Sequence, residues 1–221
     1  MNRKSEHIRK LSVMAMLTAL AFLAVMFVRI PVVLFLSYEP KDVLLTIGAF
    51  LFGPVAGAVM ATVVALLELV TISNTGVIGM AMNILSSCLF VCTASILYHR
   101  KKSLKNALIG LICAALLATA GMLLWNYLIT PLYMAGTTRE QVAGMLLPVF
   151  LPFNLLKTGL NAALTMLLYK HISTALQAAH LLPKNESSVT MKKRLPVSLG
   201  AVAALIVLIL GWILWKTYFM G

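Results

Sequence analysis

Glu39, Asp42, Glu68, Asn74, Asn83, Asn126, Asn154, Lys157 and Asn161 stand out because each lies within or beside a long apolar run. Polar groups placed in a bilayer are costly and mark sites or helix contacts. Asn154, Lys157 and Asn161 follow an i, i+3, i+7 spacing, which puts them in a stripe on one helix face. Carboxylates, amides and one ammonium offer donors and acceptors for recognition without a bond being made or broken. With apolar walls and the nearby aromatics Tyr38, Tyr127 and Tyr133, such a set suits a flat, largely neutral molecule rich in donors and acceptors. An inorganic ion would call for more carboxylates.

Each residue also has a structural reading. Lys157 can snorkel toward the headgroups, and Asn83 and Asn126 can serve as hydrogen-bonding glue between helices. Glu68 reads as structural or interfacial rather than as a ligand. Glu39 fits a solvated loop, and Asp42 reads first as the N-cap of a helix. What favours a site is that all of them gather toward one side of the chain's topology.

The elements that must position them span a membrane. Of 221 residues, 61% are hydrophobic and 11% charged, against about 25% charged in a soluble domain. Apolar runs fall at about 11–28, 43–52, 55–72, 77–98, 104–128, 147–171 and 196–216. The run 43–52 is too short to cross alone at about 1.5 Å per residue, and Gly53-Pro54 turns it tightly into the next. A cleavable leader is not expected, because Arg29 and no small-residue site follows the first run.

Charge sets the orientation. Of the 18 basic residues, thirteen (Arg3, Lys4, Arg9, Lys10, Arg100, Lys101, Lys102, Lys105, Lys170, Lys184, Lys192, Lys193 and Arg194) flank the runs on one side. The positive-inside rule makes that side cytoplasmic, with the N terminus inside and the C terminus outside if the last run is a span. The net charge of +12 then reports topology and anionic lipid, not nucleic acid. Lys157 is the one basic residue expected inside a span, and the polar set forms an outward-facing bowl closed below by apolar packing. Residues 29–41 and 127–145 are expected as two loops long enough to be lids.

Catalytic and metal chemistry finds no constellation. His7, His99, His171 and His180 all fall on the cytoplasmic side, away from the carboxylates, and Cys88, Cys92 and Cys113 sit in apolar runs. No Walker A sequence, nucleophile elbow or H-E-x-x-H motif occurs, so no enzyme and no cofactor is expected. Internal duplication of the inverted-repeat kind is not visible either. The remaining class is a binding protein that depends on a partner for energy; a self-sufficient carrier or a membrane assembly protein is the other reading. Ala15 and Ala19, spaced small-xxx-small on the first span, serve equally as a partner-docking face or as internal packing, whereas Gly57, Ala61 and Ala65 on the third read as packing.

The stretches LSYEPKD (36–42) and GAFLFGP (48–54) resemble the outer loop and second helix of the substrate-binding S components of energy-coupling factor transporters. WNYLITPLY (125–133) and PFNLLK (152–157) are similar to the fifth and sixth helices of the riboflavin-specific members. The resemblance implies an all-α integral membrane protein, a six-helix bundle that captures riboflavin at the outer face; an S component for another vitamin, such as thiamine or pantothenate, is the near alternative. It also implies a transmembrane coupling subunit and two ATPase subunits as partners, with toppling of the bundle to release the vitamin inside. By position, Glu39, Asn126, Asn154 and Lys157 would be its polar ligands, with Tyr38, Lys41, Asn83 and Tyr127 beside them, and Ala15 and Ala19 would dock on the coupling subunit. The expected organisation is a substrate-binding membrane domain over 1–176, a basic cytoplasmic linker over 177–194 and an extra transmembrane helix over 195–221, which the six-helix core lacks.

Overall fold

In a computed structural model, residues 3–33, 36–73, 75–133 and 136–181 are described. The expected C-terminal helix over 195–221, most of the expected linker and Asn74 lie outside them. Helix α1 (Arg3–Phe27) leads into a two-stranded antiparallel hairpin, β1 (Ile30–Val33) and β2 (Leu36–Tyr38). Then come α2 (Lys41–Phe52), α3 (Pro54–Thr71), α4 (Gly76–Arg100) and α5 (Leu104–Tyr133). Helix α6 (Arg139–Met145) runs through one π-helical turn (Leu146–Phe150) into α7 (Leu151–Ala178). Taking α6 to α7 as one segment, the described residues form six helical segments, as expected, plus a hairpin.

Five segments are long and apolar enough to cross a membrane: Glu6–Phe27, Pro54–Thr71, Gly76–Arg100, Leu104–Leu132 and Arg139–Ala178. Their outer faces are apolar, with Phe27 at 80% and Val70 at 84% exposure, which only lipid would solvate favourably. Helix α2 is the exception. At 12 residues it reaches about 18 Å, and it is enclosed by α1, α3, α4 and α7. A helix buried on all sides must be apolar all round, which explains the run from Val43 to Phe52, whose one polar side chain, Thr46, donates to the Asp42 carbonyl at 2.6 Å.

Local chemistry ends and joins these helices. Gly53 takes φ 100, a conformation open to glycine, and Pro54 starts α3 at a position where its missing N–H costs nothing. On α1, Val13, Leu17, Ala21 and Val25 form the buried stripe, while Ala15 and Ala19 lie on an exposed face. Gly57, Ala56, Ala61 and Ala65 are buried, so the small residues of α3 are used in packing. A Cβ on Gly57 would meet Ala49 Cβ and Val91 Cγ1, each at 2.6 Å. Gly57→Val is therefore expected to destabilise the bundle by about 1–3 kcal/mol through overpacking. A thermal melt in detergent tests this, and an unchanged midpoint would mean that α2, α3 and α4 do not meet so closely.

The end of the bundle away from the hairpin is sealed. Phe50 stacks on Tyr98 with centroids 4.4 Å apart, Tyr169 packs edge-on to both, and the two tyrosine hydroxyls are 3.1 Å apart. Ser95 donates to the Ala49 carbonyl at 2.8 Å, and His99 Nε2 lies 3.1 Å from the same oxygen. This is the closed floor expected beneath the polar bowl.

Two sequence expectations are corrected here. Residues 127–145 do not form a long loop: α5 continues to Tyr133 with Pro131 inside it, and α6 begins at Arg139. A reciprocal capping box starts α6, with the Thr138 side chain accepting from Gln141 N and the Gln141 side chain accepting from Thr138 N. Asp42 is not an N-cap either. Pro40 holds that position with no side-chain cap, and the Asp42 carboxylate is turned inward to other helices.

Candidate functional site

A cavity opens at the hairpin end. Arg29, Leu36, Ser37 and Glu39 come to it from the hairpin and its flanks; Thr75, Met82, Asn83 and Ser86 come from the start of α4. Met122 of α5 and Phe153, Asn154 and Lys157 of α7 complete the wall. The hairpin is held over this space by a small apolar cluster in which Leu36 packs with Val142, Phe150 and Phe153. The π-helical turn falls in this cluster, where Pro148 and Pro152 remove two backbone donors.

One edge of the cavity is a chain of ion pairs. Arg29 Nε lies 3.3 Å from Glu39 Oε1, and Lys41 Nζ lies 3.0 Å from Glu39 Oε2 and 2.6 Å from Glu68 Oε1. Asn83 Nδ2 donates to Glu68 Oε2 at 2.6 Å. Arg29 also reaches the Ile72 carbonyl at the end of α3, at 3.5 Å. Burial alone would raise the Glu39 carboxyl, but Lys41, Lys157 and Arg29 outweigh it and hold the group below its ordinary value.

A second network lies beneath. Asp42 accepts from Ser87 Oγ at 2.6 Å and from Asn161 Nδ2 at 3.3 Å, and Tyr38 OH donates to Asn161 Oδ1 at 3.1 Å. Burial, with Asp42 nearby, raises the Tyr38 phenol well above its ordinary value, so it stays a donor. This layer ties the hairpin, α2, α4 and α7 together below the cavity.

Of the residues singled out from sequence, Glu39, Asn83, Asn154 and Lys157 line the cavity. Tyr38 does not; its hydroxyl is engaged by Asn161. Asn126 is fully buried, with Nδ2 donating to Met122 O at 2.7 Å and Oδ1 accepting from Thr130, so its amide serves its own helix. Tyr127 is 38% exposed and is not part of the cavity wall. The largest correction concerns the buried cation: Lys41, at 2% exposure, is covered, whereas Lys157 is only half-buried and faces open space. Arg29, Leu36, Ser37, Thr75, Met82, Ser86, Met122 and Phe153 were not anticipated; Leu36, Ser37 and Phe153 carried a signal, since they fall in the same short motifs as Glu39 and Asn154.

Chemically the cavity presents donors and acceptors side by side. Lys157 makes no ion pair or hydrogen bond among the described residues and is free to donate. Asn154 gives Nδ2 to the Phe150 carbonyl at 2.7 Å, which leaves its Oδ1 as an acceptor. No group of His, Cys, Asp and Glu that could hold a metal occurs among the described residues. Because Glu39 is depressed, its ionised contribution is present above the unfolded carboxylate value and is lost only as pH falls through the lower folded one. Ligand affinity is therefore expected to stay level from neutral pH down to about pH 4 and to decline only below that range. A binding titration across pH checks this, and a loss centred near pH 6 would contradict it.

A membrane bundle with a short enclosed second helix, a hairpin lid and a polar cavity beneath it is the architecture of a capture protein. Residues 9–169 match the family model for the substrate-specific component of ECF transporters, and the chain belongs to that family. It is 30% identical over 177 residues to the riboflavin transporter RibU of Staphylococcus aureus, covering 76% of this chain and 93% of that protein. It is 29% identical over 181 residues to the riboflavin transporter RibU of Streptococcus thermophilus, covering 76% of this chain and 84% of that one. A solved structure, the S component of a bacterial ECF transporter, superposes with a TM-score of 0.65 at 30% identity, covering 77% of this chain and 99% of the other.

Proposed function

We propose that this protein captures riboflavin and serves its uptake as the S component of an ECF transporter. The observation that carries the reading is the cavity itself: Glu39, Asn83, Asn154 and Lys157 converge on it in a chain 30% identical to a riboflavin transporter over 93% of that protein's length. A flavin ring bears an imide N–H between two carbonyls and a chain of hydroxyls. Acceptors on Glu39 and Asn154 and a donor on Lys157 match that alternation, and Leu36, Met82, Met122 and Phe153 give the flat ring apolar surfaces.

With the basic ends of the helices on the cytoplasmic side, the cavity opens outward. Uptake then needs energy from elsewhere, since no Walker A sequence is present. A transmembrane coupling subunit and two ATPase subunits are the partners this requires. The exposed face of α1 bearing Ala15 and Ala19 is the proposed docking surface, because small residues there allow close helix approach. A bacterial host unable to make or import riboflavin, supplied with the coupling and ATPase subunits, tests the reading. Growth on low riboflavin that depends on this chain is expected; no growth, with all subunits present in the membrane, would overturn it.

A further inference from the structure

Glu68 lies outside the cavity wall, on α3, yet it touches both covered and lining residues of the site. Its Oε1 receives Lys41 Nζ at 2.6 Å and its Oε2 receives Asn83 Nδ2 at 2.6 Å. Both partners matter to the ligand space. Asn83 lines the cavity, and with one of its two N–H donors held by Glu68 the amide is fixed in orientation, its carbonyl Oδ1 turned away from that carboxylate and one N–H left over. Lys41 is behind the wall, shared between Glu68 at 2.6 Å and Glu39 at 3.0 Å. The ammonium thus divides its hydrogens between the two carboxylates, and Glu39, which also takes Arg29 on Oε1 at 3.3 Å, keeps lone pairs for a ligand at the cavity.

We propose that Glu68 is a positioning residue for ligand recognition: it orients the Asn83 amide as an acceptor and keeps Lys41 from saturating Glu39, so that one wall of the cavity accepts hydrogen bonds. The inference rests on the reading of the cavity as a flavin site and adds to it a specificity rule. The Glu68 wall selects the donor-bearing parts of the ligand, its hydroxyls or its imide N–H. A ligand bearing acceptors alone at that edge is disfavoured, because buried acceptors facing acceptors leave both unpaired.

Glu68→Gln tests the rule. A glutamine keeps the shape but must donate through its own NH₂, which turns the Asn83 amide so that NH₂ faces the ligand. Riboflavin affinity, measured by quenching of flavin fluorescence, is expected to fall about ten- to a hundred-fold, the usual scale for a mispaired buried hydrogen bond. Asn83→Asp alone sets a carboxylate against Glu68 and is expected to weaken binding as well. The double variant Glu68→Gln with Asn83→Asp restores complementarity: the introduced glutamine donates, and the introduced carboxylate presents an acceptor to the cavity. Recovery to within a few-fold of the unaltered protein is expected, and a purely structural role for Glu68 would not produce it. Unaltered affinity in Glu68→Gln, or a double variant no tighter than the weaker single one, overturns the proposal. If Glu68→Gln does not fold, Asn83→Ala decides: a loss of about ten-fold is expected, and full affinity overturns it. Failure of the unaltered protein to bind riboflavin would instead strike the flavin reading, so the two outcomes are distinct.

Discussion

Lys157→Met is expected to lower riboflavin affinity by about 10- to 100-fold while changing the thermal stability of the protein far less than Lys41→Met does. Lys157 lines the cavity and has no ion pair or hydrogen bond among the described residues, so the bundle leans on it only through a longer-range attraction to Glu39. A hydrogen bond from a charged donor contributes about 1.5–3 kcal/mol, and every 1.4 kcal/mol is about a factor of ten in affinity. Methionine keeps much of the apolar stem and removes the charge. Equal affinity in the variant would make Lys157 a side chain that reaches past the ligand toward the membrane surface.

Lys41→Met should do the opposite, striking the fold first. It removes the covered partner of Glu39 and Glu68, which are 5% and 4% exposed, and leaves two carboxylates with Arg29 as the one remaining ion-pair partner among the described residues and Lys157 farther off. Breaking a buried pair by deleting one member costs about 3–5 kcal/mol because the survivor has no counter-charge. A large drop in melting midpoint is expected, together with loss of binding. Adding Glu68→Leu to Lys41→Met is expected to recover much of the stability, since removing both charges relieves the penalty, but not the binding, because Asn83 then loses its anchor. A Lys41→Met protein that melts like the unaltered one would show that the ion-pair chain is open to water.

These two lysines also show what sequence could and could not reveal. Lys157 is legible because it lies on an apolar helix with Asn154 and Asn161 in register, and a 3.6-residue period needs no knowledge of other helices. Lys41 follows Pro40 at the junction of a loop and a helix, a place that reads as solvated. Its burial depends on Glu68, 27 positions away, a contact no local pattern records. Asp42 misled for the same reason. Its place in the first turn of α2 looks like a capping residue, while its partners Ser87 and Asn161 lie 45 and 119 positions along the chain.

The first six helical segments and the membrane placement were legible from apolar runs alone, because lipid requires long runs whatever the packing. The extent of α5 and α6 was not. Pro131 and Gly136 look like breakers, but a proline in the last turn of a helix sacrifices little, and the chain is helical again from Arg139. A local signal was present there, since Thr138 and Gln141 have the spacing of a capping box. Asn126 carried a strong polar signal and turned out to bond within its own helix, because an asparagine can satisfy itself on the carbonyl four residues back. The hairpin had no period long enough to read.

The cavity beneath the hairpin is proposed as a flavin site. Titrating riboflavin with the purified protein in detergent, and following the quenching of flavin fluorescence, tests it most directly. Saturable quenching at one riboflavin per protein, weakened by Lys157→Met, is the expected result; riboflavin fluorescence unaffected by an excess of folded protein would contradict it.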